Sequence, residues 1–182
     1  MKRAVLAVII LGLVLAGCGG REEAAAPAVT PTTQLSVAVD ADYGAQGALA
    51  KEGELSLEQM LTYAIQDEHL AEAEYLDVLG RHGEVRPFSN IVESERRHIE
   101  SLETLFREHG FKLPENRGAQ HVVPTETVRA ALAACVEGEK HNIEMYRVFL
   151  EKELPADVAE VFANLKQASE QHLETFEFHL GN

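Results

Sequence analysis

Tryptophan is missing from this 182-residue chain, and all aromatics together make up only 6% of it. A chain so short of flat faces is a poor platform for stacking bases. Positive charge is scarce as well: 16 Lys and Arg stand against 30 Asp and Glu, a formal net charge of −14. Such a surface repels phosphate backbones, so no nucleic-acid partner is expected. The only cysteines are Cys18 and Cys135, too few for a disulfide scaffold. No apolar run reaches the roughly 20 residues a spanning helix needs, and no stretch alternates with the period of a strand. What is left is an acidic chain, 46% hydrophobic, of a size that suits one domain around one core.

Lys2 and Arg3 precede an apolar run from Ala4 to Ala16, the form of a targeting segment. It ends in Leu15-Ala16-Gly17-Cys18, which resembles the lipobox of prokaryotic lipoproteins. The resemblance implies cleavage before Cys18, lipidation of its thiol, and an extracytoplasmic chain anchored to the cell membrane or envelope. Residues 1–17 are then a lipoprotein signal peptide, and their loss removes Lys2 and Arg3 and deepens the negative charge. Residues 18–53 comprise the lipidated Cys18 and a flexible Ala/Pro/Thr linker, as in "AAAPAVTPTTQ", with too little apolar surface to fold. Residues 54–182 form the folded domain.

That domain reads as four helices. Ser56-x-x-Gln59 has the form of a capping box and opens the first, expected to end at about Gly80–Gly83. Pro87 opens the second and Gly110 closes it. Residues 111–124, with two prolines, read as a connection. Thr125 is placed as the cap of the third helix, expected to end near Leu154, and Pro155 starts the fourth. The expected fold is all-α, an antiparallel four-helix bundle.

Apolar residues recur at spacings of three and four on each helix, which marks the buried face. Each stripe is interrupted at mid-length: by Glu68 on the first helix, Glu95 and His98 on the second, Glu139 and Asn142 on the third, Ser169 and His172 on the fourth. Glutamate is seldom buried without a partner, and carboxylates facing one another repel and lose hydration. A multivalent cation among them removes that cost, and imidazole nitrogens complete its shell. His69, His82, His109, His121, His141 and His179 read as surface or bundle-end residues, Cys135 as a small buried hydrophobe, and the other glutamates as a solvated face.

The segments also pair. "EHLAEAEYLDVL", from Glu68, aligns with "EKHNIEMYRVFL", from Glu139; in both, a tyrosine (Tyr75, Tyr146) follows the glutamate by seven residues, on the same face. "FSNIVESERRHIE", from Phe88, aligns with "FANLKQASEQHLE", from Phe162. The domain therefore reads as a duplicated helical hairpin.

Glutamate on two helices with Glu-x-x-His on the other two is the ligand pattern of ferritin-like di-iron or di-manganese carboxylate proteins, which this chain resembles. "EGEKHNIEMYRVF" is similar to the third helix of rubrerythrins. "DEHLAEAEY", "FSNIVESERRH" and Ser169-x-x-His172 resemble an uncharacterised ferritin-like family catalogued as a domain of unknown function. The resemblance covers roughly residues 55–180. It implies one or two ions of iron or manganese, with Glu68 and His98 as terminal ligands, Glu95 bridging, and Glu139 and His172 completing the set. Tyr75, Tyr146, Asn142 and Ser169 would stand behind these ligands. Two positions depart from the pattern: Ser169 stands where a second bridging glutamate is expected, and Asn142 where rubrerythrins often carry another carboxylate.

These departures predict an asymmetric centre, one ion held by Glu68, Glu95 and His98 and a second, weaker position at Glu139, His172 and the shared Glu95. The expected function is a membrane-anchored metal-binding protein with redox chemistry, either ferrous oxidation or peroxide reduction. Its partners would be the membrane through Cys18, a small oxidant such as peroxide or dioxygen, and a second copy of the chain as a homodimer. The rival readings are a non-catalytic metal-binding, sensing or interaction module, and a metal-free structural helical lipoprotein.

Overall fold

Residues 42–181 are described by the computed structural model. The expected signal peptide, Cys18 and the tether as far as residue 41 lie outside the described residues. Within them are six helices and no strand, and no helix is long and apolar enough to cross a membrane.

Ser56 Oγ accepts the Gln59 N–H at 3.3 Å, while Gln59 Oε1 accepts the Ser56 N–H at 2.9 Å. This reciprocal pair starts the long helix α2, Leu57–His82, and Gly83 at φ +78° ends it. Helix α3 spans Phe88–Glu108. Helix α5, Val128–Phe149, is capped by Thr127 and not by Thr125: Thr127 is extended, and its hydroxyl accepts the Ala130 N–H at 3.1 Å. It stops at Phe149, short of the expected Leu154: Leu150 is its C-cap, residues 150–152 turn the chain back, and Pro155 keeps Leu154 out of helical geometry. Helix α6 follows over Ala156–Gly181.

The long helices lie side by side, α2 against α3 and α5, and α6 against α3 and α5. Two apolar clusters fix their directions. Leu61 near the start of α2 meets Leu102 and Phe106 near the end of α3, Phe149 at the end of α5 and Phe162 near the start of α6. Tyr75 and Val78, late in α2, meet Phe88 and Ile91 at the start of α3, Leu132 early in α5 and Phe176 late in α6. Neighbouring helices therefore run in opposite directions. Phe88, Phe162 and Phe176 are fully buried, each contributing about 1.5–3 kcal/mol on removal from water. Two apolar ends thus enclose a polar layer at mid-height and offset its cost.

The expected linker, drawn to residue 53, departs from the structure over its last residues. Helix α1, Gly44–Ala50, packs on α2 and α5 with Tyr43, Ala45 and Ala48 buried. Its anchor is Asp67, whose Oδ1 accepts the Ala45 N–H at 2.7 Å. The short helix α4, Gly118–His121, lies against α2 so closely that a Cβ on Gly118 would stand 2.2 Å from the His69 carbonyl oxygen. The His121 ring stacks on Tyr43 at 3.8 Å. His69 and His121 are therefore buried, not on the surface as expected. Covering segments from outside the four-helix pattern bury them, and periodicity within one helix carries no sign of such a cover.

Candidate metal centre

Each long helix turns its interrupted stripe inward at the same height. Glu68 of α2, Glu95 of α3 and Glu139 of α5 are between 1% and 4% exposed, and His172 of α6 is 8% exposed. His98 of α3 keeps 14% of its side chain in contact with solvent.

The five side chains converge. His98 Nδ1 lies 3.1 Å from Glu68 Oε2 and 2.9 Å from Glu95 Oε2. His172 Nδ1 lies 3.1 Å from Glu95 Oε1 and 3.4 Å from Glu139 Oε1. Glu95 thus spans the layer, one oxygen toward each imidazole. The rings themselves are 5.7 Å apart and inclined by 27°. Two triads result, Glu68–Glu95–His98 and Glu95–Glu139–His172, each with one ligand atom per residue and all of these within 4.8 Å of one another. Donors about 2.1 Å from a shared ion lie about 3–4.2 Å apart. Each triad could therefore hold a metal ion after small side-chain adjustments.

The tyrosines cross between helices. Tyr146 of α5 donates to Glu68 Oε1 at 2.7 Å, and Tyr75 of α2 donates to Glu139 Oε1 at 2.9 Å. Each hydroxyl serves the glutamate of the opposite helix rather than its own. Burial, with the adjacent carboxylates, raises both phenols well above their usual range, so both remain donors.

Burial raises the Glu68 carboxyl to about 7, against the pull of His98. Burial acts on Glu95 in the same sense, but its contacts with His172 and His98 outweigh it and hold this carboxyl down at about 2. Glu139 is raised, chiefly by burial. Burial also opposes charge on the imidazoles, yet Glu68 and Glu95 lift His98 to about 10, and Glu139 and Glu95 lift His172 to about 9. Protons and a cation would thus compete for the same lone pairs.

Two observations bear on whether a cation fits. Glu95 Oε1 is buried without a hydrogen bond of acceptable alignment, although His172 Nδ1 is 3.1 Å away. A contact of that length gains little when it is poorly aligned. Lone pairs directed past one another suit a third atom between them. The donor set, three carboxylates and two imidazoles, also suits borderline and hard divalent metals.

The two departures differ from each other. Ser169 Oγ donates back to the Leu165 carbonyl at 3.2 Å and so reaches no carboxylate. Asn142 is 5% exposed, and its Oδ1 accepts no hydrogen bond.

Among residues the sequence pattern did not single out, Asp67 and Glu74 of α2 matter most. Glu74 is only partly exposed, and burial followed by the nearby Glu139 charge raises its carboxyl to about 7. Both line a cavity of about 40 Å³ beside Glu139 and Asn142. Their spacing of seven, parallel to that of Glu68 and Tyr75, is the signal that marks a second polar stripe.

No family profile matches the chain, and no curated protein matches it. Among solved structures, the chain is similar to the crystal structure of a hypothetical protein from Methanococcus jannaschii DSM 2661, with a TM-score of 0.62 and 21% identity. The match covers 72% of this chain and 85% of the other, and at that identity it bears on the fold alone.

Proposed function

We propose that the four long helices form a ferritin-like bundle with an internally duplicated hairpin, and that it binds one or two ions of iron or manganese for redox chemistry at a membrane surface. The observation that carries this reading is the sharing of Glu95 by two Glu/Glu/His triads in a buried layer. Glu68, Glu95 and His98 would hold one ion, and Glu95, Glu139 and His172 a second. Such an ion, when bound, would supply electrons to a small oxidant such as peroxide or dioxygen. The protein's part is to keep five donors dry and fixed, with Tyr75 and Tyr146 orienting the carboxylates behind them. The partial exposure of His98 leaves that side of the centre within reach of a small molecule. Anchoring through Cys18 and pairing of two copies belong to the same proposal.

The test is elemental analysis of the purified full chain, with an ultraviolet–visible spectrum before and after peroxide. Stoichiometric iron or manganese and a spectral change that reverses on reduction are the expected results. Metal that survives peroxide unchanged would support a binding or sensing module instead.

One observation favours a metal-free layer. With His98 and His172 raised to about 10 and 9, two imidazoliums can balance two of the three carboxylates, and Glu68, raised to about 7, can keep its proton. That reading predicts that Glu95→Leu with His98→Leu stabilises the fold, since apolar replacement of buried ionic clusters is often neutral or favourable. Unfolding or loss of bound metal in the double variant eliminates it.

A further inference from the structure

The Asp67/Glu74 cavity is lined by residues of α2 and α5, Glu139 among them, and by neither His98 nor His172. Its lining is mixed: Leu70, Ala71 and Cys135 are joined by Asp67, Glu74, Glu139 and Asn142, four oxygen-bearing side chains that a plain packing void would not gather. At about 40 Å³ it exceeds the roughly 10–15 Å³ that one water occupies. Asn142 supplies an independent pointer, being 95% buried by its 5% exposure while its Oδ1 accepts nothing. A buried amide oxygen without a donor costs about 1–3 kcal/mol, and a cation or its water repays that cost.

Gly138 sits at the exposed edge of the same cavity. A Cβ there would meet nothing within 4 Å, so packing does not require a glycine. Glycine inside a helix costs about 0.5–1 kcal/mol relative to alanine. Here the missing side chain leaves the cavity edge uncovered. Cys135 also lines the cavity, but burial and the Glu74 and Glu139 charges hold its thiol protonated, so the donors on offer are oxygens.

We infer that this cavity is an outer loading site, in which a divalent cation is held by Asp67, Glu74 and the Asn142 amide oxygen on its way to Glu139. The inference rests on the metal-centre reading and adds a route to it. Carboxylates, an amide oxygen and retained water suit hard cations that exchange quickly, such as ferrous or manganous ion. The weakness of the site is part of its use, because a transit position must release what it takes.

The experiment mixes the chelator-stripped full chain with Co²⁺ alone and follows the visible bands of the bound ion by stopped flow. Glu74→Gln removes a charge from the cavity. Gly138→Leu adds bulk at its edge without changing charge, and it raises helix propensity. Both variants should load about 10-fold more slowly than the wild type, the low end of what a focusing acidic cleft contributes. Both should reach the same final spectrum and ion count. Wild-type loading rates in either variant overturn the inference while leaving the metal centre in place. A wild-type chain that takes up no Co²⁺ overturns both. A slowed rate with an altered final spectrum also overturns it, since the residue would then belong to the centre itself.

Discussion

The two halves of the polar layer follow one plan and fill it differently. In the α2–α3 half, His98 Nδ1 stands 3.1 and 2.9 Å from two carboxylates; in the α5–α6 half, His172 Nδ1 stands 3.1 and 3.4 Å from two. Each half has a tyrosine donating to its outer glutamate from across the layer. Distances nearly match, but charge does not. Ser169 occupies the register position of Glu95 and turns its hydroxyl back to Leu165, while Asn142, a turn after Glu139, leaves its oxygen unbonded. Two halves of one layer can therefore share a scaffold of phenylalanines, tyrosines and histidines while the number of charged donors differs between them. Both halves lean on Glu95.

Removing that shared carboxylate should break the comparison most severely. Glu95→Ala leaves both imidazoles without their common partner, and loss of one member of a buried ionic network costs about 3–5 kcal/mol. Glu139→Ala disturbs only the second half. In urea unfolding, Glu95→Ala should be the less stable of the two. In Mn²⁺ calorimetry it should abolish binding in both halves, whereas Glu139→Ala retains one ion. Equal losses in the two variants would contradict the bridging role.

Changing pH should act on both halves together. Without a cation, the His98 and His172 contributions are fully present below about 6.5 and are lost as pH rises through about 9 and 10. Glu95 contributes above about 4.5, and its share is lost as pH falls toward about 2. Glu68, raised to about 7, works against the fold as it ionises. The chelated protein should then be most stable near pH 4.5, losing stability from there to about 7 through Glu68 and above about 6.5 through the histidines as well. Metal binding needs neutral imidazoles and ionised carboxylates, so affinity should rise at least about 10-fold per pH unit from 7 to 9, with protons released. Denaturant titrations in chelator, set beside Mn²⁺ titrations in two buffers of different ionisation enthalpy, read both effects. A pH-independent affinity would show that the centre does not exchange protons for metal.

Restoring the missing charge should equalise the halves. Ser169→Glu places a carboxylate at the register position that Glu95 holds in the other half. Without metal, an added buried charge near Glu95 and Glu139 should destabilise the fold. With Mn²⁺ it should tighten the second ion by about 10-fold or more, since carboxylate is a far better ligand than hydroxyl. Opposite signs with and without metal, read from thermal melts, are the expected signature; destabilisation under both conditions would place no ion in that half.

Much of this layer was legible before any coordinates. A glutamate at the centre of an apolar stripe is costly unless partnered, so Glu68, Glu95 and Glu139 announce a shared environment, and the seven-residue spacing of each tyrosine from its glutamate places both on one face. Long helices with capping boxes and bounding prolines follow from local chemistry. What was hidden depends on contacts between elements distant in sequence. The crossing of Tyr75 to Glu139 and Tyr146 to Glu68 follows from how α2 and α5 face each other, which no single-helix pattern encodes. The burial of His69 under Gly118, and of Tyr43 against His121, depends on short segments whose composition reads as linker. Glu74 carries no mark of its own, because partial burial beside a cavity looks, in sequence, like a solvated face.

The smallest expected effect separates the halves through their tyrosines. Phenylalanine keeps the ring packing: Tyr75 would retain its contact with Phe176 at 5.5 Å, and Tyr146 its contact with Phe162 at 5.5 Å. What each variant loses is one buried hydrogen bond to a carboxylate, worth about 1.5–3 kcal/mol. Because the bonds cross, the consequences should cross too. Tyr146→Phe, though on α5, should raise the Glu68 carboxyl further and weaken the ion of the α2–α3 half a few-fold near neutral pH. Tyr75→Phe, on α2, should weaken only the ion held by Glu139 and His172. Stepwise Mn²⁺ titration of the two variants distinguishes this from ordinary loss of packing, which would weaken both ions alike. If each tyrosine instead governed the glutamate on its own helix, the crossed hydrogen bonds would not be what orders the layer.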